Sequence, residues 1–358
     1  MRDFVIKESG NETLAQTPAF YGAFCDRCGH PARTGSEMKR FLLPVMLTAV
    51  LLLCACAQPR QDSTYAMSTY FSQTVYGQNA QTVVEENKKI VLRLENELSS
   101  TLSTSEICRA NSAGVYTLSE SAAEIVQTAL EISRNTDDAF CTAVRPLVEL
   151  WDIGGENHIP TETEKQQAAA LCDSARITLE GNRLTLNGAR IDLGGIAKGY
   201  ALDKLAENTK QQADSALLDL GGSLYVLGDK QGTPYRVGIR DPFGEAGDLL
   251  GTMELRDLFV STSGIYERFF EQEGVRYHHL LDVKTGAPAQ SGVAAVSVVA
   301  ESGTQSDAYS TALFVMGAEK GLAFAEKNGV DALFVLTDGS IRTTQGFLEK
   351  YNVELKTP

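Results

Sequence analysis

The order in which hydrophobic periodicities succeed one another constrains this chain most. Val83, Val84, Ile90, Val91, Leu94 and Leu98 fall mostly on one face of a 3.6-residue repeat, which predicts an amphipathic helix over 82–98. Ser121-Ala-Ala-Glu124 has the form of a capping box. It opens a second helix with Ile125, Val126, Ala129, Leu130 and Ile132 on or near the buried side. A third helix is expected over 162–173, just after Pro160. The pattern then changes. Arg176–Glu180 and Arg183–Asn187 alternate apolar and polar residues around Gly181-Asn182, a hairpin signal. A helix from beyond Gly195 to about Gln212 precedes strands near 215–219, 223–227, 235–240, 249–255, 258–261, 276–281 and 293–299. Helices near 306–316 and 318–328 and a strand at 332–337 close the series. Helices gather early and strands late, without steady β-α-β alternation, so the expected class is α+β and not doubly wound.

The chain has 358 residues, enough to bury a large core as one domain or two. A net charge of −14 argues against non-specific nucleic-acid binding, which needs clustered Lys and Arg to displace counterions. Such a protein handles phosphates through a cation and backbone amides. Met38-Lys-Arg40 begins a basic start, an apolar stretch of signal-peptide length and a small-residue end at Cys56. The stretch is short for a membrane span. Leu53-Cys-Ala-Cys56 resembles a bacterial lipobox, so residues 38–56 are expected to be a lipoprotein signal and 57–66 a polar tether. Cys56 would then carry the lipid that holds the protein on the extracytoplasmic face of the cell membrane. An uncleaved anchor or a plain secretory signal fits the same residues. Residues 1–37 precede the point where such a signal begins, so Met38 is the expected start and the upstream segment a mis-called extension. That segment holds Cys25-Asp-Arg-Cys28-Gly-His30, half a zinc site without a second pair at finger spacing. Cys108, Cys141 and Cys172 make no disulfide framework.

One phrase occurs twice: Asp192-Leu-Gly-Gly195, running on to Lys198 and Tyr200, and Asp219-Leu-Gly-Gly222-Ser223. Each copy is expected to end a strand in a turn with open amides suited to phosphate, and two copies suggest a dinucleotide. Taken singly, each is also a plain tight strand exit. The glycines from Gly194 to Gly199 have the wrong spacing for G-x-G-x-x-G, and no Walker loop is present. Lys198 stands where its ammonium can reach a phosphate, and Asp192 and Asp219 can accept from a ribose hydroxyl or a base N–H. Ser261-Thr-Ser-Gly264 is expected as a hydroxyl-rich turn, for binding or simply for turning. In a strand, His278 and His279 point to opposite faces, so at most one serves a given site as proton carrier. A histidine bonded to a neighbouring loop is the alternative. Asp307 and Thr311 are four apart on one helical face and present hard oxygens suited to Mg²⁺ or Ca²⁺, although an early helical Asp also serves as an ordinary cap. Converging with a Gly-Gly turn, they would form a Mg²⁺–pyrophosphate site.

These strings, with His279-Leu-Leu-Asp282, Thr285-Gly286 and Asp307-Ala-Tyr-Ser-Thr311-Ala-Leu-Phe, resemble the ApbE family of FAD:protein FMN transferases. So do Ala139-Phe140, Pro146-Leu-Val-Glu-Leu-Trp151 and Ser105-Glu-Ile-Cys-Arg-Ala-Asn111, and the similarity runs in order over roughly 70–340. The resemblance implies a single mixed α/β domain over 67–350, T-fold-like, with an antiparallel-rich sheet late. It also implies transfer of FMN from FAD to a Ser or Thr hydroxyl, with release of AMP. The acceptor would be a subunit of a membrane redox complex or a related flavin carrier. By that likeness Mg²⁺ is held by Asp307, Thr311 and the Gly195 carbonyl. FAD lies along Asp192, Lys198, Ala139, Phe140, Cys141, Gly221, Gly222 and Leu280, and His279 is the base. The family usually has Asp-x-Thr where this chain has Cys141-Thr-Ala143, Gly where it has Asp138, and a Met-Gly/Asp-Thr string at Ser72-Gln-Thr74. Two rival functions share the site: an FAD pyrophosphatase giving FMN and AMP, and a non-catalytic flavin-binding lipoprotein. Asp338-Gly-Ser-Ile-Arg lacks an acceptor pattern, so a transferred flavin goes to another chain.

Overall fold

The computed structural model describes residues 59–230 and 232–356; the extension, the signal segment and Cys56 lie outside them. Among the described residues, no helix is long and apolar enough to cross a membrane.

Eight strands form the main sheet: β1 Arg60–Ala66, β2 Thr69–Tyr76, β3 Ser215–Leu220, β4 Ser223–Leu227, β5 Leu258–Gly264, β6 Val293–Ala300, β7 Asp331–Leu336 and β8 Ile341–Thr343. Their order in the sheet is their order in the chain, and every neighbouring pair is antiparallel. All other elements are insertions between successive strands or follow the last of them. The expectation of strands late therefore holds for six of them and fails for β1 and β2. Residues 60–66, expected as tether, are the edge strand β1. Its mostly exposed polar residues carry no inward apolar alternation to read. In β2 one inward position is Gln73, buried because its amide donates to the Val84 carbonyl and accepts from Asn87.

The helices are α1 Ala80–Leu98, α2 Glu106–Ala113, α3 Glu120–Asn135, α4 Arg145–Trp151, α5 Glu162–Ala169, α6 Ala197–Lys210, α7 Gly303–Met316, α8 Ala318–Lys327 and α9 Phe347–Lys350. Helix α3 starts earlier than expected. Ser119, not Ser121, is its cap, accepting from the Ala122 amide at 3.3 Å. The full capping box belongs to α5, between Thr161 and Glu164, and α5 stops at Ala169 instead of 173. The hairpin about Gly181-Asn182 is present as Thr178–Glu180 paired with Arg183–Thr185.

Helices α1, α6, α7 and α8 cover one face of the sheet, burying Phe71, Leu218, Tyr225, Phe259, Val296 and Phe334. The other face buries Leu224, Val226, Val260, Val299 and Val335 against a three-stranded sheet of Tyr235–Arg240, Leu249–Leu255 and Glu354–Leu355. Strands covered on both sides read as continuous apolar runs, as β6 does. The expected strand at 276–281 is split. Phe269–Gln272 pairs with Val275–His278, and Leu281–Asp282 pairs with Ala287–Pro288.

Candidate functional site

Helix α7 is docked from its first turn. The Asp203 carboxylate of α6 accepts from the Gly303 and Thr304 amides at 2.7 and 2.9 Å and from the Ser302 and Thr304 hydroxyls. This fills open N-terminal donors of α7. The two helices touch at glycines: a Cβ on Gly199 would lie 2.0 Å from the Gly303 carbonyl oxygen. Sequence spacing offered no sign of Asp203, because its partners lie about 100 residues away.

That crossing brings Asp307 into the heart of the site. The residue is 4% exposed. Oδ2 accepts from the Gly199 amide at 2.9 Å; Oδ1 accepts from Lys198 Nζ and from Ser223 Oγ, each at 3.2 Å. The Lys198 ammonium supplies the countercharge a buried carboxylate requires. Because the Gly199 amide is turned to Asp307, the Gly195 carbonyl takes no backbone hydrogen bond from the first turn of α6. Thr311 follows one turn later in α7. A Cβ on Gly195 would stand 3.1 Å from its hydroxyl and 3.3 Å from the Phe140 ring, so Gly195 packs close to both.

Both Asp-Leu-Gly-Gly copies therefore meet at one carboxylate. The first contributes Lys198 and the Gly199 amide; the second contributes Ser223. The first turn departs from the expected form, while the second ends its strand as expected. Asp192 ends no strand, and its Oδ1 accepts from the Gly194 amide at 2.8 Å, so that amide is not open. Its Oδ2 accepts from Ser100 Oγ at 2.7 Å and Arg145 Nη1 at 3.2 Å. Asn111 pins the residue before it, exchanging two hydrogen bonds with the Ile191 backbone at 2.7 and 2.8 Å. The second copy is a hairpin turn with Gly221 and Gly222 at φ +52° and +86°. Asp219 sits opposite Leu224, beside Leu217 and Tyr235 on the face away from α7, and does not reach Asp307.

Ser261-Thr-Ser-Gly264 is the end of β5 and not a turn. Its inward hydroxyls pair with α7, Ser261 with Ser306 at 2.9 Å and Ser263 with Ser310 at 2.8 Å. In the 138–141 segment, Asp138 adopts φ +55°, the left-handed conformation that glycine enters most freely. Burial raises its carboxyl above the usual range. Phe140 is buried against Gly195, while Ala139 is half-buried. Cys141 is buried too, with Ser174 Oγ 3.5 Å from its sulfur. Burial first, then Asp138, pushes its thiol up to about 12, so it stays protonated.

The strand ends at His278, so His279 lies just beyond it and not within the expected alternation. His278 is buried, edge-on to Phe314 of α7 at 5.3 Å. His279 is partly open, and the Arg268 carbonyl accepts from its amide at 3.1 Å and from Nδ1 at 3.2 Å. Nδ1 thus carries the proton and Nε2 the lone pair. Burial, then the Arg268 guanidinium, pushes His279 down to about 3, so it is neutral at pH 7. Nε2 lies 3.9 Å from Glu267 Oε2. Leu280 is buried behind it, its carbonyl accepting from the Ala289 amide. Trp151 Nε1 donates to the Gly286 carbonyl at 2.8 Å and ties the Leu-Trp segment to this loop. Ser223, Glu267, Arg145 and Asp203 were not expected as site residues. Ser223 alone had a local signal, its place directly after the second Gly-Gly.

The sequence profile of the ApbE family matches residues 67–334. The FAD:protein FMN transferase of Treponema pallidum (strain Nichols) is 37% identical over 250 residues, 64% of this chain and 69% of that protein. That of Vibrio cholerae serotype O1 is 30% identical over 322 residues, 85% of this chain and 95% of its own. The crystal structure of the ApbE protein from Thermotoga maritima superimposes with a TM-score of 0.78 at 32% identity, covering 83% of this chain and 100% of that one. Flavin transferase ApbE from Vibrio cholerae gives 0.74 at 27% identity, with 82% and 99% coverage. This chain belongs to the ApbE family.

Proposed function

We propose that this chain transfers FMN from FAD to a Ser or Thr hydroxyl of another protein and releases AMP. The observation that carries the reading is the convergence of both Asp-Leu-Gly-Gly copies on the buried Asp307. A site assembled from two separate turns around one carboxylate suits a substrate with two linked phosphates. The names of the family's curated relatives support flavin as the cargo.

The donor set fits magnesium. The Asp307 carboxylate, the Thr311 hydroxyl and the Gly195 carbonyl are all hard oxygens, and that carbonyl is left unclaimed by its helix. Magnesium bound there would neutralise charge on the pyrophosphate as it is split. Lys198 offers an ammonium on the same turn. FAD runs along Ala139, Phe140, Cys141, Asp192, Gly221, Gly222 and Leu280, with Asp192 already shared among three donors and acting by shaping the turn.

His279 Nε2 accepts the proton of the acceptor hydroxyl. The oxygen then bonds to the FMN phosphorus, the bond from that phosphorus to the bridging oxygen breaks, and AMP leaves with the bridging oxygen. His279 afterwards gives its proton to solvent. The acceptor is a flavoprotein, a subunit of a membrane redox complex or a related carrier, and lipid on Cys56 holds the enzyme beside it on the extracytoplasmic face.

The test incubates the full chain with FAD and Mg²⁺, with and without a peptide bearing an Asp-Gly-x-Thr-Gly-Ala segment. AMP, free FMN and covalent flavin are followed. Flavinylated peptide with equimolar AMP supports transfer, and EDTA should abolish both. AMP with only free FMN would assign the site to FAD hydrolysis, and no AMP at all would leave a flavin binder.

A further inference from the structure

A neutral imidazole that acts as general base carries positive charge once it has taken its proton, so the groups around it decide how well it works. Four charged or titratable groups face His279: Arg268, Lys198, His278 and Glu267. Arg268 and Lys198 oppose protonation of the ring, and so does His278 when charged. Burial opposes it further. Glu267 is the carboxylate on the other side of the balance, with Oε2 3.9 Å from Nε2. Nε2 is the nitrogen that matters, because Nδ1 is committed to the Arg268 carbonyl at 3.2 Å. Glu267 also borders the second Gly-Gly turn. A Cβ on Gly222 would stand 3.5 Å from its Oε1, so the carboxylate lies between the second Gly-Gly turn and the histidine.

We infer that Glu267 is a positioning residue for His279, facing the nitrogen that takes the acceptor's proton and compensating the charge that arrives there. The inference rests on the transfer reading above. It supplies a countercharge to a ring that two nearby cations discourage from taking a proton.

The test compares Glu267→Gln with the wild-type full chain, using FAD, Mg²⁺ and the same Asp-Gly-x-Thr-Gly-Ala peptide. Transfer kcat should fall about tenfold or more, with KM for FAD unchanged. The acid limb of the kcat profile should move to lower pH, because the imidazolium loses its compensating charge. Glu267→Asp should recover part of kcat. An NMR titration of the His279 ring, which needs no turnover, should show a lower pKa in the Gln variant. Wild-type kcat and an unmoved acid limb, or an unchanged His279 titration, would overturn the inference. So would a loss of kcat matched by an equal loss of FAD affinity, which would assign Glu267 to the nucleotide cradle. A wild-type chain that makes neither AMP nor flavinylated peptide defeats the transfer reading instead, and the ring titration still decides whether Glu267 acts on His279.

Discussion

In the first Asp-Leu-Gly-Gly segment the aspartate folds back onto the Gly194 amide and is clasped by Ser100 and Arg145. In the second, Asp219 stays in the ladder opposite Leu224, and Gly221 and Gly222 close a hairpin at φ +52° and +86°. Gly194 and Gly195 stay out of the left-handed region. Four identical residues thus take two shapes, because one copy runs into helix α6 and the other lies between paired strands β3 and β4. Both still deliver donors to Asp307. An acidic residue followed by two glycines specifies a change of chain direction; what the turn serves depends on the residue that follows and the helix it meets.

The comparison is tested hardest at the shared endpoint. Asp307→Ala should lower AMP and flavinyl-peptide formation by about a hundredfold or more, while far-UV circular dichroism stays native. Near wild-type turnover would remove Asp307 from the chemistry. The next largest effect separates the two turns. Gly221→Ala places a Cβ at φ +52°, 2.1 Å from the Thr69 hydroxyl. It should cost about 2–4 kcal/mol in urea unfolding. At Gly194 φ is not positive and the nearest atom is an Asp192 oxygen at 3.0 Å. Gly194→Ala should therefore stay within about 1 kcal/mol of wild type, and equal costs would erase the distinction.

Smaller effects sharpen what each copy supplies. Ser223→Ala removes one of the two donors to Asp307 Oδ1 and should cost about 1 kcal/mol, read by thermal unfolding; no loss would mean that this bond does not form in solution. The smallest change is expected for Arg145→Met, which unlatches Asp192. That pair is partly screened, so about 0.5–1 kcal/mol is expected, shrinking as salt is added. Insensitivity to salt would show that Arg145 acts through packing and not through charge.

Much of this architecture was legible in the chain. The strands Ser223–Leu227, Tyr235–Arg240 and Leu249–Leu255 lie where they were expected, α1 follows its apolar stripe, and α6 fills the expected stretch beyond Gly195. What stayed hidden had one cause, polar residues satisfied by partners far away in sequence. Gln73 fills a core position of β2 through Asn87 and the Val84 carbonyl. Ser261 and Ser263 look like turn residues until Ser306 and Ser310 of α7 supply their partners. Asp203 looks like a surface carboxylate until it caps α7.

By itself, the sequence determined the mixed α and antiparallel character and the two chain reversals, because these follow from local periodicity and from glycine. Only the tertiary structure decided that both copies converge on Asp307, that Asp192 is clasped while Asp219 faces away, and that Glu267 stands beside His279. Each of those depends on which strands pair and where two helices cross at Gly199 and Gly303, and such contacts join residues too distant in sequence for any local pattern to record.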